Sequence, residues 1–336
     1  KLPPNYEEVR ARTVKQTGYL TFPKTTAPKW DCRELGIVTP VKSQGNCGSC
    51  WDFAGTRSVE SALIKAGYGK ADGTFTMSEQ YILDCEGSNG GCNGDDHSTV
   101  FNHAKSVGMP TTQEYGPYKA SRQRCHVGQA KLYKIAASGY CEPGARGVMS
   151  TQKIKDAIVQ YGPVSTTICA DNALISFRGG SVFKGNARNL NHQVTIVGWD
   201  DAKGAWDMMN SWGKGWGDNG SCFIEYGANL IGTETMWCTA TALPPPPEAP
   251  KITSALEARG FPGQVFSYQI TASGNPSSYS AAPLPAGLSI DASKGLVSGT
   301  PATTTITSVV VGATNAIGTG PATVVFAIGA LPPPPG

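Results

Sequence analysis

Charge is scarce in this chain and nearly balanced. Asp, Glu, Lys and Arg make up 16% of its 336 residues, and 28 Lys plus Arg against 25 Asp plus Glu leave a formal charge of +3. So even a balance offers no field that would recruit nucleic acid or an anionic membrane surface, and no nucleic-acid partner is expected. Long apolar runs are missing too. The stretch around residues 309–311 falls far short of the roughly 18 to 20 apolar residues that a membrane helix needs, so no membrane insertion is expected. Histidine is limited to His97, His103, His126 and His192, which leaves few candidates for an imidazole base or ligand. No initiator Met or apolar leader precedes Lys1, and the expectation is that any targeting segment has been removed.

Cysteine is the residue in surplus. There are ten, and eight lie outside the lone Cys-x-x-Cys pair of Cys47 and Cys50. That usage predicts disulfides, an oxidising compartment and a secreted or extracellular protein. All ten precede the segment 243–250, LPPPPEAP, whose prolines favour an extended, semi-rigid spacer. Beyond it, residues 251–330 hold no Cys, Trp or His and are dense in Ser, Thr, Val, Ala, Gly and Pro. A second Pro-rich stretch, LPPPPG, occupies residues 331–336. We therefore expect an N-terminal extension or pro-segment remnant over 1–29, a first domain over 30–242, a linker over 243–250, a second domain over 251–330 and a tail over 331–336.

In the second domain, alternating runs at 265–270, 295–298, 308–311 and 323–328 are separated by turn residues, the pattern of an all-β sandwich. The first domain reads otherwise. Phe53, Ala54, Val59 and Leu63 recur at near-helical spacing over 50–65, and a second helix is expected over 151–160. Strand-like stretches follow at 163–168, 193–197 and 222–226. Helices first and strands afterwards indicate an α+β fold.

The segment Gln44-Gly45-Asn46-Cys47-Gly48-Ser49-Cys50-Trp51 sets a thiol where a helix begins, and the positive end of a helix dipole favours a thiolate. Read as a pair, Cys47 and Cys50 could also be a redox couple or half of a zinc site. A nucleophilic Cys needs a base and a group that orients the base. His192 heads the strand-like run Asn191-His192-Gln193-Val194-Thr195-Ile196-Val197-Gly198, and Asn210 opens Asn210-Ser211-Trp212-Gly213-Lys214-Gly215-Trp216-Gly217.

QGNCGSCW, NHQVTIVGW and NSWGKGWGDNG resemble the three active-site blocks of the papain family, in that family's order. SEQYILDC and GCNG, at 78–85 and 91–94, are similar to a fourth, and together the blocks cover roughly residues 28–242. The resemblance implies a papain-like fold, with a helical half, a β-barrel-like half and the cleft between them. It implies Cys50 as nucleophile, His192 as acid and base, Asn210 as its orienter, and Gln44 with the Cys50 N–H as the oxyanion hole. Trp212 would shield the Asn210–His192 bond from water. The resemblance also implies disulfides Cys47–Cys92 and Cys85–Cys125, with no metal and no organic cofactor; among the remaining cysteines, Cys222–Cys238 is the first candidate for a third bridge. Substrates would be proteins or peptides.

By the same resemblance Gly94, Asp95, Asp96, His97 and Asn191 would line the substrate cleft, with Thr167 and Gln193 near the pocket for the residue two before the scissile bond. The expected cleft is acidic and polar. Asp52 stands where relatives usually carry Ala, and it has no account at this level. Residues 250–328 resemble an Ig-like repeat of bacterial surface and secreted proteins, through FSYQI, LPAGLSI, GLVSGTP and ATN. That repeat implies a spacer or a contact with a cell surface or polysaccharide. An exopeptidase of the same fold and a catalytically dead surface-binding protein stand as alternatives.

Overall fold

The computed structural model describes residues 24–87, 90–242 and 249–329. Residues 1–23 of the expected extension, 243–248 of the spacer and the tail from 330 lie outside the described residues. The chain divides into two compact units, Lys1–Leu243 and Pro244–Gly336, and each is described by itself.

The first unit is built on helix α1 (Cys50–Lys65), where every residue from Cys50 to Ile64 is buried. The sequence periodicity predicted one apolar face. Instead the helix is enclosed on all sides, and its polar residues Asp52, Arg57 and Glu60 go inside with the rest. Five more helices follow: α2 (Glu79–Cys85), α3 (His97–Ser106), α4 (Thr112–Tyr115), α5 (Thr151–Tyr161) and α6 (Asn172–Ile175). Their starts are set by side-chain caps. Ser78 accepts from the Tyr81 N–H, Asp96 from Ser98 and Asp171 from Leu174, while Thr111 and Glu114 form a capping box. α1 packs closely on α3 at Gly55, where an added Cβ would come within 2.8 Å of Val100.

Seven strands form the sheet of this unit: β1 (Lys29–Asp31), β2 (Ala137–Tyr140), β3 (Val164–Ile168), β4 (His192–Asp200), β5 (Ala205–Met209), β6 (Ser221–Glu225) and β7 (Thr233–Thr239). The order is β2-β7-β3-β4-β5-β6, with β1 added to β4. The β3 residues are all buried, as are all of β4 but Asp200, which fits a strand pair covered on both faces; α1 and α5 both pack against β3, β4 and β7.

The strand order corrects one expectation. Cys222 lies on β6 and Cys238 on β7, with β5, β4 and β3 between them. Four interstrand steps of about 4.8 Å each separate the strands, far beyond the roughly 4.4 to 6.8 Å between Cα atoms that a disulfide spans. Both are buried thiols outside any disulfide, like Cys32, Cys141 and Cys169. Cys47 is bonded to Cys92 and Cys85 to Cys125.

The second unit is all β. One sheet runs β10 (Ser278–Ala282), β13 (Thr305–Asn315), β14 (Gly318–Ile328) and β8 (Glu257–Gly260); the other runs β11 (Leu288–Asp291), β12 (Leu296–Gly299) and β9 (Phe266–Gln269). Phe266, Tyr268, Val297, Val309, Val324 and Phe326 fill its core. Leu288 and Ile290 are only half-buried because β11 is the outer strand of its sheet.

Candidate active site

The turn that carries Cys50 is shaped before α1 begins. The Cys47–Cys92 bond joins it to the 91–94 segment, and the Gly48 N–H donates to the Cys92 carbonyl at 3.0 Å. Only glycine permits that approach, since a Cβ at 48 would lie 2.4 Å from the same oxygen. Cys50 follows as the first residue of α1 and is buried. The disulfide to Cys92 removes Cys47 from any pairing with Cys50, so the redox-couple and zinc readings do not fit.

Burial by itself would raise the Cys50 thiol pKa. The charge on His192 and its hydrogen bond to the sulfur, helped by the Gln193 backbone N–H, outweigh that and bring it down to about 6.

His192 opens β4, and Asn210 follows β5, the next strand over. That adjacency makes neighbours of two residues 18 apart in sequence. His192 Nε2 lies 2.8 Å from Asn210 Oδ1. The Ser211 N–H donates to the same oxygen at 2.8 Å, which fixes the amide orientation, so Nε2 carries the proton and Nδ1 is left for the thiol. Continuing the register Thr195↔Met209 beyond β5 sets Trp212 across from His192. Their rings stack at 4.7 Å and 25°, and Trp216 meets Trp212 edge-on at 5.3 Å. The indole covers the His192–Asn210 bond, and the lower dielectric strengthens it.

Gln44 is buried beside this pair. Its backbone N–H donates to the Ser211 carbonyl at 2.8 Å, its Oε1 accepts from the Ser211 hydroxyl at 2.7 Å, and its Nε2 donates to the Cys47 carbonyl at 2.8 Å. One amide hydrogen remains beyond that bond. With the N–H at the head of α1, it forms a candidate pair of donors for an oxyanion.

The residues expected to make an acidic cleft are arranged otherwise. Asp95, Asp96, His97, Thr167 and Gln193 are all buried. The Asp96 carboxylate accepts from the Ser98 N–H and from Gln193 Nε2 at 2.9 Å, and Gln193 Nε2 also reaches Thr167 Oγ1 at 3.2 Å. Asp95 accepts from the Gly90 and Asp96 N–H groups and from Thr99. His97 Nδ1 is 2.6 Å from Ser165 Oγ, and burial holds its pKa down against the pull of Asp96. Asn191 bonds Ala170 through both amide atoms, and Gly94 sits at φ +103°. The polar groups are present, but they are paired with one another rather than turned outward as a field of negative charge. His103 and His126 bond Tyr81 and backbone carbonyls, outside this site.

Asp52 now has surroundings. It is buried beneath the first turn of α1, with Oδ1 accepting from Thr56 Oγ1 at 2.9 Å and Oδ2 without a partner. Burial first, and the nearby Glu79 carboxylate second, hold its pKa well above the usual carboxylate range. Glu79 and Glu60 share Lys42, two residues before Gln44. A separate cavity of about 400 Å³, lined by Arg33, Val41, Asp207, Met209, Asp218 and Phe223 among others, includes none of the three catalytic candidates.

An α+β fold that sets a thiol at a helix start against an imidazole and a buried amide defines the class of cysteine-nucleophile proteins. The family model for papain family cysteine proteases matches residues 26–241, and an Ig domain model matches residues 249–329. The chain belongs to the papain family of cysteine proteases, followed by an Ig-like domain. It is 35% identical over 214 residues to cysteine proteinase 3 of Solanum lycopersicum, covering 61% of this chain and 58% of that protein. With cathepsin K of Mus musculus it shares 33% over 206 residues, covering 59% and 60%. The alignments thus span a little under two thirds of these relatives. Among solved structures, the Carica candamarcensis cysteine protease CMS1MS2 in complex with E-64 aligns with a TM-score of 0.56 at 29% identity, covering 64% of this chain and 99% of that one. Digestive procathepsin L 3 of Tenebrio molitor aligns at 0.59 and 27%, covering 69% and 79%.

Proposed function

We propose that this chain is a secreted cysteine endopeptidase. The observation that carries the reading is the relay from Asn210 Oδ1 through the His192 ring to a Cys50 thiol lowered to about 6. In the proposed mechanism the Cys50 thiolate attacks the peptide carbonyl, and the oxyanion is held by Gln44 Nε2 and the Cys50 N–H. The imidazolium of His192 gives its proton to the leaving amine, which departs and leaves a thioester. His192 then takes a proton from water as the water attacks the thioester, and Cys50 leaves as thiolate. Two disulfides support an oxidising compartment, and no helix among the described residues is long and apolar enough to cross a membrane.

The polar residue types of Thr167 and Gln193, where the family resemblance sets the pocket for the side chain two before the scissile bond, support a weak preference for bulky apolar residues there. For the Ig-like unit the proposed role is a spacer or a contact with a cell surface or polysaccharide, resting on its family model.

Titration with the epoxide E-64 tests the main reading. One equivalent should add to Cys50 by mass, abolish cleavage of internally quenched peptides, and fail to label Cys50→Ala. No labelling of the wild-type chain would refute it, and cleavage confined to substrates with a free terminus would turn it to an exopeptidase. A peptide library showing strong Leu or Phe preference at the pocket would overturn the polar assignment.

A further inference from the structure

Ser49 is the N-cap of α1, yet its hydroxyl makes no capping bond. An N-cap serine ordinarily accepts from a first-turn N–H. Here the fully buried hydroxyl instead lies 2.6 Å from the hydroxyl of Tyr118, on the segment after α4. The same Tyr118 hydroxyl donates to the Gln44 carbonyl at 3.2 Å. A phenol has one proton, so with that proton on Gln44 the Ser49 hydroxyl is the donor in the second bond. One atom thus joins the residue before Cys50 to the backbone of Gln44.

The Tyr118 segment is held firmly. Gln80 accepts from the Lys119 N–H at 2.8 Å and donates to the Ser121 carbonyl at 2.9 Å, so both neighbours of the turn are tied to α2. The Tyr118 ring meets Phe53 edge-on at 4.8 Å. Ala120 takes a left-handed backbone at φ +53° and reaches Gly45, where an added Cβ would lie 3.3 Å from its own. A non-glycine residue in that region costs on the order of 1 kcal/mol and persists only where its surroundings enforce it.

We propose that Tyr118 is a positioning residue of the oxyanion hole, whose hydroxyl sets the spacing between its two donors by tying Gln44 to the Ser49–Cys50 turn. The inference rests on the peptidase reading. Tyr118 touches neither substrate nor the reacting atoms; it acts through the two groups that do.

The test is Tyr118→Phe, which keeps the ring against Phe53 and removes only the hydroxyl. Wild-type chain that neither binds E-64 nor cleaves peptide would sink the peptidase reading itself and this inference with it. With an active wild type, loss of two neutral hydrogen bonds corresponds to a fall in kcat between about fivefold and 150-fold, with KM within about twofold. A peptide aldehyde, whose thiohemiacetal oxygen occupies the hole, should weaken in parallel. Alkylation of Cys50 by iodoacetamide, which forms no oxyanion, should stay within about twofold. Unchanged kcat would overturn the proposal, and so would alkylation falling together with kcat, since the hydroxyl would then only keep the site folded. If Tyr118→Phe does not fold, Ser49→Ala cuts one arm of the tie: a fall in kcat and aldehyde affinity of up to about tenfold with alkylation spared supports the role, and no fall refutes it.

Discussion

Asn210→Ala probes the relay most directly. In the wild-type site the proton on His192 Nε2 is accepted by Asn210 Oδ1 at 2.8 Å beneath the Trp212 ring, with His192 and Asn210 both buried. Truncation leaves that donor, which belongs to an imidazolium in the active form, without an acceptor in a place that water reaches poorly. It also strands the Ser211 N–H that shared the oxygen. A hydrogen bond to a charged group contributes about 1.5 to 3 kcal/mol, so kcat/KM should drop between about tenfold and 150-fold at one decade per 1.36 kcal/mol. The same loss destabilises the imidazolium that holds the Cys50 thiol at about 6. The acid limb of the pH profile should therefore move up. Wild-type kcat/KM should fall tenfold per unit below about pH 6, where the thiol is protonated, and the variant should begin to fall at a higher pH. Fluorogenic hydrolysis and iodoacetamide alkylation, each measured across pH 4 to 9, report the two effects separately. An alkylation profile unmoved by Asn210→Ala, together with kcat/KM within threefold of wild type, would refute the idea that Asn210 tunes the pair.

Gln44→Ala should lower kcat by on the order of a hundredfold to a thousandfold, the usual effect of removing an oxyanion donor. Because Gln44 Oε1 also accepts from Ser211, it should cost a few degrees of Tm as well, checked by calorimetry. Replacing Cys47 and Cys92 by Ser opens a bridge of sequence separation 45, worth about 4 kcal/mol by the chain-entropy relation. A fall in Tm of about 10 °C is expected, and an unchanged melting curve would count against it. Asp52→Asn tests the buried acid. Its folded pKa lies above the unfolded value, so at pH 3 the proton costs nothing, and as pH rises past the ordinary carboxylate range the unfolded chain ionises before the folded one does. Stability is then lost at about 1.4 kcal/mol per pH unit until the folded pKa is reached. The Asn variant should match wild type near pH 3 and exceed it at pH 7 in chemical denaturation; an equal difference at both pH values would refute the account.

Much of this was legible in the chain itself because the informative residues are consecutive. A thiol placed between glycine-rich turn and helix, a histidine heading a strand, and an asparagine beside a tryptophan are local arrangements, and the composition break at residues 243–250 is one too. Other features depend on what lies across the fold. Asp96 and Gln193 are 97 residues apart and bond to each other, so reading Asp95, Asp96 and His97 one by one predicted an exposed acidic wall that the burial of all three replaces with an internal network. Cys222 and Cys238 are close in sequence but lie on β6 and β7, with three strands between them. Tyr118 carried no motif at all; the only sequence-level hint was the serine before Cys50, whose diverted cap hydroxyl becomes visible with its partner.

By itself the sequence determined the family, the α+β class of the first unit and the β-sandwich class of the second, and it singled out Cys50, His192 and Asn210 as candidates. Those follow from side-chain type and near-neighbour order. Tertiary structure alone decided the burial that raises the Asp52 pKa, the pairing of the polar residues near the site, the cysteines left as thiols, and the tie that Tyr118 makes between Ser49 and Gln44. Each of these is a matter of burial or of contact between distant segments. Desolvation and hydrogen bonding depend on what surrounds a group in space, and the linear order of residues does not state it.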